Sequence, residues 1–179
     1  KNEIFQKIKK IQWISQYRQT LNDNNVIGNN YEYHLLKPII NFCDNNNFEL
    51  EILCSTKNNQ KEINFYSKIS KNFNFIANKD FSTYKALSNN SIIIGIDSVL
   101  LKESFARGFR TGFLSVRADK KININQRIAF DNSFDFGWPY IYEDDNTFWS
   151  SRFSEDKVTN ILNFLNNVSL ADWKRLQSK

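Results

Sequence analysis

The segment that decides the fold spans residues 92–117 and reads IIIGIDSVLLKESFARGFRTGFLSVR. Ile92 to Ile96 form a continuous apolar run, which predicts a strand buried on both faces. Val99 to Arg107 is expected to form a helix, and Gly108 suits its C′ position because glycine takes a positive φ at little cost. Thr111 to Leu114 predicts the next strand. This order of strand, helix and strand indicates a parallel βαβ unit with a right-handed crossover.

The same alternation extends back toward the amino terminus. Further strands are expected at Ile11 to Ile14, Glu49 to Leu53 and Phe73 to Ile76, and helices at Tyr31 to Asn45, Gln60 to Ile69 and Ser82 to Leu87. Strands separated by helices predict the α/β class, with a Rossmann-like parallel sheet covered by helices on both faces. With 179 residues and no Pro/Gly linker, the chain is expected to form one domain, residues 1–179.

Two helices are expected to close the chain. Ser154 is a suitable N-cap for the first, and Glu155 and Asp156 favour its positive end. Ser169 and Asp172 have a spacing similar to that of a capping box, which predicts the start of the second helix.

Composition restricts the classes of partner. Lys and Arg exceed Asp and Glu, giving a formal net charge of +5, so the surface is expected to attract nucleotide phosphates or an acidic membrane face, unless it is simply solvated. No basic block, RNP-like pattern or helix-turn-helix pattern favours nucleic acid.

The chain has two cysteines without metal-ligand spacing and no long apolar run. These features predict a cytoplasmic protein without a membrane span.

The ends of the expected strands predict where a ligand would bind. In an open parallel sheet, ligands bind outside the carboxyl ends of the strands. Ser98 lies in one of the loops at this edge, at the amino end of a helix, where free N–H groups and the helix dipole favour a phosphate. A simple N-cap is its alternative role. One cleft is expected to be lined by the loops that follow Ile14, Leu53, Ile76, Ile96 and Leu114.

Glu103 is an acidic residue among Leu100, Leu101 and Phe105 on a helix that is expected to pack against the sheet. A buried carboxylate is costly unless it is paired or hydrogen-bonded, and vicinal ribose hydroxyls are suitable partners. On the outer face of the helix the carboxylate would be solvated, and the spacing alone does not choose between the faces. Asp97 either bonds the backbone of its own turn or tunes the site.

Other polar residues have structural alternatives. Arg117 follows a strand and offers bidentate contacts to a diphosphate or a sugar carboxylate, although a surface arginine fits the pattern equally well. His34 is expected to be structural. The acidic run Glu143, Asp144 and Asp145 carries oxygen ligands suited to a metal, but a solvated loop is the expected outcome, so no metal site is predicted.

Residues 91–117, SIIIGIDSVLLKESFARGFRTGFLSVR, resemble segments of the type IDSTLGYEALARGKK in glycosyltransferases of bacterial surface-carbohydrate biosynthesis. The two-domain architecture of these enzymes is called GT-B, and the chain is similar to its C-terminal, donor-binding half. Val99, Leu100 and Lys102 depart from the family pattern, and the loss of its glycine leaves an altered donor site as an open alternative. The likeness extends to IQWISQYR at 11–18, DFSTYKALSNN at 80–90, FGWP at 136–139, NTFWS at 146–150 and VSLADWKRL at 168–176.

The resemblance implies roles for particular residues. Ser98 would contact the donor phosphate and Glu103 would hold the nucleotide ribose. Ser15, Gln16 and Arg18 would face the cleft from the first strand. No cofactor is implied, because the nucleotide sugar is the substrate. The expected donor-binding residues are therefore Ser15, Gln16, Arg18, Asp97, Ser98, Glu103 and Arg117.

The resemblance implies the nucleotide-sugar-binding domain of a cytoplasmic GT-B glycosyltransferase that builds capsule, lipopolysaccharide or a related surface glycan. A missing N-terminal domain would supply a glycan or lipid-linked acceptor, and the positive charge would favour peripheral contact with the inner membrane. A nucleotide-sugar epimerase of the same architecture and a non-catalytic assembly module stay open as alternatives. CMP-linked acidic sugars and UDP- or GDP-linked neutral sugars are all compatible with the sequence.

Overall fold

The structure is a computed structural model that describes residues 8–17, 27–57, 59–96, 98–114 and 147–178. Its strands are β1 Lys10–Ile14, β2 Glu49–Leu53, β3 Asn74–Ile76, β4 Ser91–Gly95, β5 Thr111–Leu114 and β6 Trp149–Ser150. Its helices are α1 Ile27–Asn46, α2 Gln60–Ser67, α3 Ser82–Ala86, α4 Val99–Ala106, α5 Glu155–Asn167 and α6 Leu170–Gln177.

The described strands form a six-stranded sheet in the order β3-β2-β1-β4-β5-β6. Every pairing between neighbouring strands is parallel. This confirms the α/β class and the Rossmann-like sheet, since the strand order is the one typical of doubly wound dinucleotide-binding folds. The direction of winding reverses between β1 and β4, the two central strands.

Helices cover both faces of the sheet because successive residues of each strand point to opposite sides. Trp13 and Ile94 belong to a core shared with α1, α2, α5 and α6. Ile14 and Phe113 belong to a second core on the other face, where Leu101 of α4 packs. Burial on both faces explains why β4 is a continuous apolar run rather than an alternating one.

The end of α4 confirms the role expected of Gly108. Its φ is +92°, in the left-handed region that favours glycine. The Gly108 N–H donates to the carbonyl of Phe105 at 2.9 Å, and the Phe109 N–H donates to the carbonyl of Ser104 at 3.1 Å. These bonds form a Schellman motif, which turns the chain from α4 directly into β5.

The element boundaries differ from the expected ones in a few places. The helix α1 begins at Ile27 rather than at Tyr31 and continues through Pro38. The sequence pattern does not predict β6, Trp149–Ser150, because a strand of two residues is too short to show an alternation. Its pairing with β5 places the residues before α5 at the edge of the sheet.

Candidate functional site

The carboxyl ends of the strands meet at one edge of the sheet. Ile14 is in register with Leu53 on one side and with Gly95 on the other, so the loops after β1, β2 and β4 emerge side by side. In folds of this kind the ligand crevice opens where the strand order reverses, which here is between β1 and β4. The expected site residues Ser15, Gln16, Ser98 and Glu103 are described, whereas Arg18, Asp97, Arg117 and the acidic run at 143–145 lie outside the described residues.

The loop after β1 is held by buried hydrogen bonds. Ser15 and Gln16 are only 3% and 4% exposed. The Gln16 N–H donates to Oε1 of Glu32 at 2.6 Å, and Oγ of Ser15 accepts the Tyr17 N–H at 3.1 Å. The Tyr66 hydroxyl lies 2.7 Å from Oγ of Ser15. The Ser15 side chain is therefore engaged within the protein, where it shapes the loop from inside.

Glu32 on α1 and Tyr66 on α2 are fully buried beneath this loop. The Tyr66 hydroxyl donates to Oε2 of Glu32. Burial, followed by the charge of Glu32 and this hydrogen bond, raises the pKa of Tyr66 well above its ordinary value. Glu32 precedes Leu35, Leu36 and Ile39 by three, four and seven residues, so it lies on the apolar stripe of α1. That position is the sequence signal by which this acid can be found.

The loop after β2 is held by a second buried acid, Glu62 of α2. Its Oε1 accepts the Ser55 N–H at 2.8 Å, and its Oε2 accepts the Thr56 N–H at 3.1 Å and the Thr56 hydroxyl at 2.8 Å. The Ser55 hydroxyl donates to the Tyr17 carbonyl at 2.9 Å, and Nδ2 of Asn78 donates to the Ser55 carbonyl at 3.0 Å. The loops after β1, β2 and β3 are thus tied to one another.

Ser98 occupies the N-cap position of α4 with extended backbone angles. Its carbonyl accepts the N–H groups of Leu101 at 3.0 Å and Lys102 at 3.2 Å, but its hydroxyl makes no capping hydrogen bond. The first turn of α4 contains no acidic residue. The positive end of the helix dipole lies at this edge of the sheet, and no carboxylate in the first turn of α4 offsets it.

Glu103 is partly buried on the side of α4 that faces α3. Glu103 interacts with the hydroxyl of Tyr84 on α3, and this interaction is the largest cause that raises the pKa of Tyr84. Oε2 of Glu103 is buried and has no hydrogen-bond partner within the part of the chain that the structure describes. An unpaired buried acceptor is unfavourable, so this oxygen is suited to a ligand that donates a hydrogen bond.

Three other groups, His34, Phe148 and Cys54, have surroundings that favour a structural role. His34 is exposed on α1 and contacts the rings of Tyr33 and Phe153, with centroids 5.6 and 5.9 Å away. Phe148 stacks on Phe105 at 5.6 Å. Burial, with a smaller contribution from Glu62, raises the pKa of Cys54 to about 12, which makes it a poor nucleophile at neutral pH.

The described residues lack a metal-binding cluster and a membrane-spanning helix. They contain no group of three or more His, Cys, Asp or Glu residues arranged to hold a metal ion. Among the helices of the same ranges, none has the length and apolar character that crossing a membrane requires.

Comparison with known proteins links the chain to one family. Neither the curated proteins nor the solved structures compared with the chain contain a match. One family model, described as "putative O-antigen biosynthesis protein", matches residues 1–179. The match supports the role in surface-carbohydrate biosynthesis that the sequence resemblance implies. The chain belongs to this family of O-antigen biosynthesis proteins.

Proposed function

We propose that this domain binds the nucleotide-sugar donor of a GT-B glycosyltransferase that builds O antigen or a related surface glycan. The observation that carries the proposal is the sheet order, because its reversal between β1 and β4 creates a crevice at the carboxyl edge. The polar residues expected to bind the donor follow these same two strands, except Arg117, which follows β5.

The amino end of α4 supports a phosphate site. The N–H groups of its first turn and its dipole favour an anion, and the Ser98 hydroxyl is not used as a cap. The formal net charge of +5 would raise the local concentration of an anionic donor. In the transfer reaction, these N–H groups and the hydroxyl would stabilise the negative charge that develops on the departing phosphate.

Glu103 supports the ribose site. Its Oε2 is a buried acceptor without a described partner, and a ribose hydroxyl would supply the missing donor. The carboxylate also interacts with the Tyr84 hydroxyl of α3. This geometry favours the inward role of Glu103 over that of a solvated surface acid.

The buried acids Glu32 and Glu62 support the site indirectly. They fix the loops that carry Gln16 and Ser55 before a ligand arrives, so less conformational entropy is lost on binding. Ser15 contributes in the same way, from within the loop. The donor contacts of Arg18, Asp97 and Arg117 stay predictions.

The acceptor side of the reaction lies outside the described domain in this proposal. A glycan or lipid-linked acceptor would be bound by an N-terminal GT-B domain, and the basic surface would bring the enzyme to the cytoplasmic face of the inner membrane. Product analysis of that two-domain protein separates transfer from epimerisation: a lengthened acceptor supports transfer, and a free epimerised sugar contradicts it.

Calorimetric titration of the chain with CMP, UDP, GDP and their sugar conjugates tests the donor site. We expect one nucleotide to bind and Glu103→Ala to weaken its binding by about 10- to 100-fold, since a hydrogen bond to a charged group is lost. The matched control is Glu155→Ala, which removes an exposed carboxylate paired with Lys37. Failure of the folded protein to bind any of these ligands would contradict the proposal.

A further inference from the structure

Phe81 is an aromatic residue in an unfavourable position. Its side chain is 74% exposed, and it is among the few large apolar residues exposed in the described part of the chain. Its φ is +58°, in the left-handed region that side chains with a Cβ rarely adopt, and the preceding Asp80 has a φ of +50°. Neither the exposure nor the backbone conformation favours folding, so their combination points to a role in binding.

The surroundings of Phe81 include residues of both α3 and α4. The rings of Phe81 and Tyr84 lie with centroids 6.2 Å apart, and the Tyr84 hydroxyl reaches across to Glu103. Val99 lies one helical turn before Glu103 on the same side of α4 and is 53% exposed. We call the surface formed by Phe81, Tyr84, Val99 and Glu103 the α3–α4 groove. Its exposed apolar residues are Phe81 and Val99, and Glu103 lies one helical turn further along α4 than Val99.

We propose that the α3–α4 groove binds the nucleoside part of the donor, with the base stacked on the Phe81 ring and the ribose hydroxyls directed at Oε2 of Glu103. The inference rests on the proposed function and adds to it the residue that holds the base. Ser98 directly precedes Val99, so the phosphates would leave on the α4 side while the base lies on the α3 side. The ribose would then lie between the helices, next to Tyr84 and Glu103.

The chemistry of the groove matches a nucleoside at both ends. Aromatic side chains stack on nucleic-acid bases, and every base offers a π face, so Phe81 recognises the class of ligand rather than one base. An unpaired carboxylate oxygen accepts from a ribose hydroxyl. A sugar without a base would use only the acidic end, and a deoxygenated nucleoside only the apolar end.

A matched pair of glycine variants tests the apolar end. Phe81→Gly and Asp80→Gly both relieve a left-handed backbone, but only the first removes the ring. We expect Phe81→Gly to bind the preferred nucleotide roughly tenfold more weakly, or worse, since base stacking on an aromatic residue is worth that much. Both variants should melt at or above the temperature of the parent protein, and Asp80→Gly should bind as tightly as the parent. An unchanged nucleotide affinity in Phe81→Gly would overturn the assignment of the base to the Phe81 ring.

A second titration tests the acidic end with the 2′,3′-dideoxy form of the same nucleotide. The parent protein should bind it more weakly than the ordinary nucleotide, and Glu103→Ala should bind the two forms equally. If the parent protein binds both forms with equal affinity, Glu103 does not contact the ribose hydroxyls, and this half of the inference is overturned. If nucleotide binding survives the loss of the Phe81 ring, only the assignment of the base to Phe81 is contradicted. If the folded protein binds no nucleotide, the donor site as a whole is contradicted.

Discussion

At the scale of single residues, the carboxyl edge of the sheet depends on acids that have no exposed surface. Glu32 and Glu62 each reach back from a helix to the loop that precedes it and accept the N–H of the second residue after a strand, Gln16 or Ser55. A buried carboxylate is tolerated when several donors satisfy it, and backbone N–H groups are donors that do not move away. The same arrangement occurs after β1 and after β2.

Replacement of Glu62 should show how much this arrangement contributes to stability. Glu62→Ala leaves the partly buried N–H groups of Ser55 and Thr56 without their acceptor, so we expect the free energy of unfolding to fall by roughly 2–5 kcal/mol. Urea denaturation measures the loss. Glu155→Ala, at an exposed ion pair, should change the same quantity by less than about 1 kcal/mol. A loss for Glu62→Ala no larger than this control would show that the loop does not depend on the carboxylate.

The sequence predicted some of these residues and not others. It placed Ser15, Gln16 and Ser98 at the ends of strands, because an apolar run that stops abruptly marks the edge of a parallel sheet. Glu32 and Glu62 were not predicted as site residues. The position of Glu32 on the apolar stripe of α1 signals a buried acid, but it does not reveal that the partners are the Gln16 N–H and the Tyr66 hydroxyl. Their contacts become visible only when the helix is packed on the sheet.

At the scale of elements, similar sequence signals have different structural outcomes. Ser154 and Ser169 both precede a helix and both occupy an N-cap position. The Ser169 hydroxyl oxygen accepts the Asp172 N–H at 3.0 Å, which confirms the predicted start of α6. Ser154 makes no side-chain capping bond, although its position was predicted. The backbone φ separates the two cases, since it is −157° at Ser154 and −67° at Ser169, and the sequence does not specify it.

This difference predicts unequal effects of the same substitution. Ser169→Ala should lower the free energy of unfolding by about 1 kcal/mol, because one N–H of the first turn of α6 loses its acceptor. Ser154→Ala should have little effect, because no such bond exists in α5. Thermal or urea denaturation of both variants provides the comparison. Equal losses would mean that Ser154 also caps its helix in solution.

At the scale of the whole molecule, distant parts of the chain share one core. The helix α5 packs against α1 as well as against the sheet, and Leu35 of α1 and Leu162 of α5 are fully buried in the same cluster. Trp13 of β1 and Trp173 of α6 lie in this cluster too. The last helices are therefore a structural part of the domain that contains the candidate site.

Core truncations test whether this domain unfolds as one unit. Leu35→Ala and Leu162→Ala should each lower the free energy of unfolding by about 2–5 kcal/mol. In both variants, the transitions measured by far-ultraviolet circular dichroism and by tryptophan fluorescence should coincide, because α1 and α5 lose the same core. Separate transitions in Leu162→Ala would show that the last helices form an independent unit.

The sequence by itself determined the α/β class, most of the strands and helices, and the glycine that ends α4. These features depend on local information: the period of the apolar residues, the length of each run and the backbone angles that glycine allows. Only the tertiary structure decided the position of β6, the burial of Glu32 and Glu62, and the contact of Tyr84 with Glu103 that defines the α3–α4 groove. These features join residues that are distant in sequence, and they depend on which helix covers which face of the sheet.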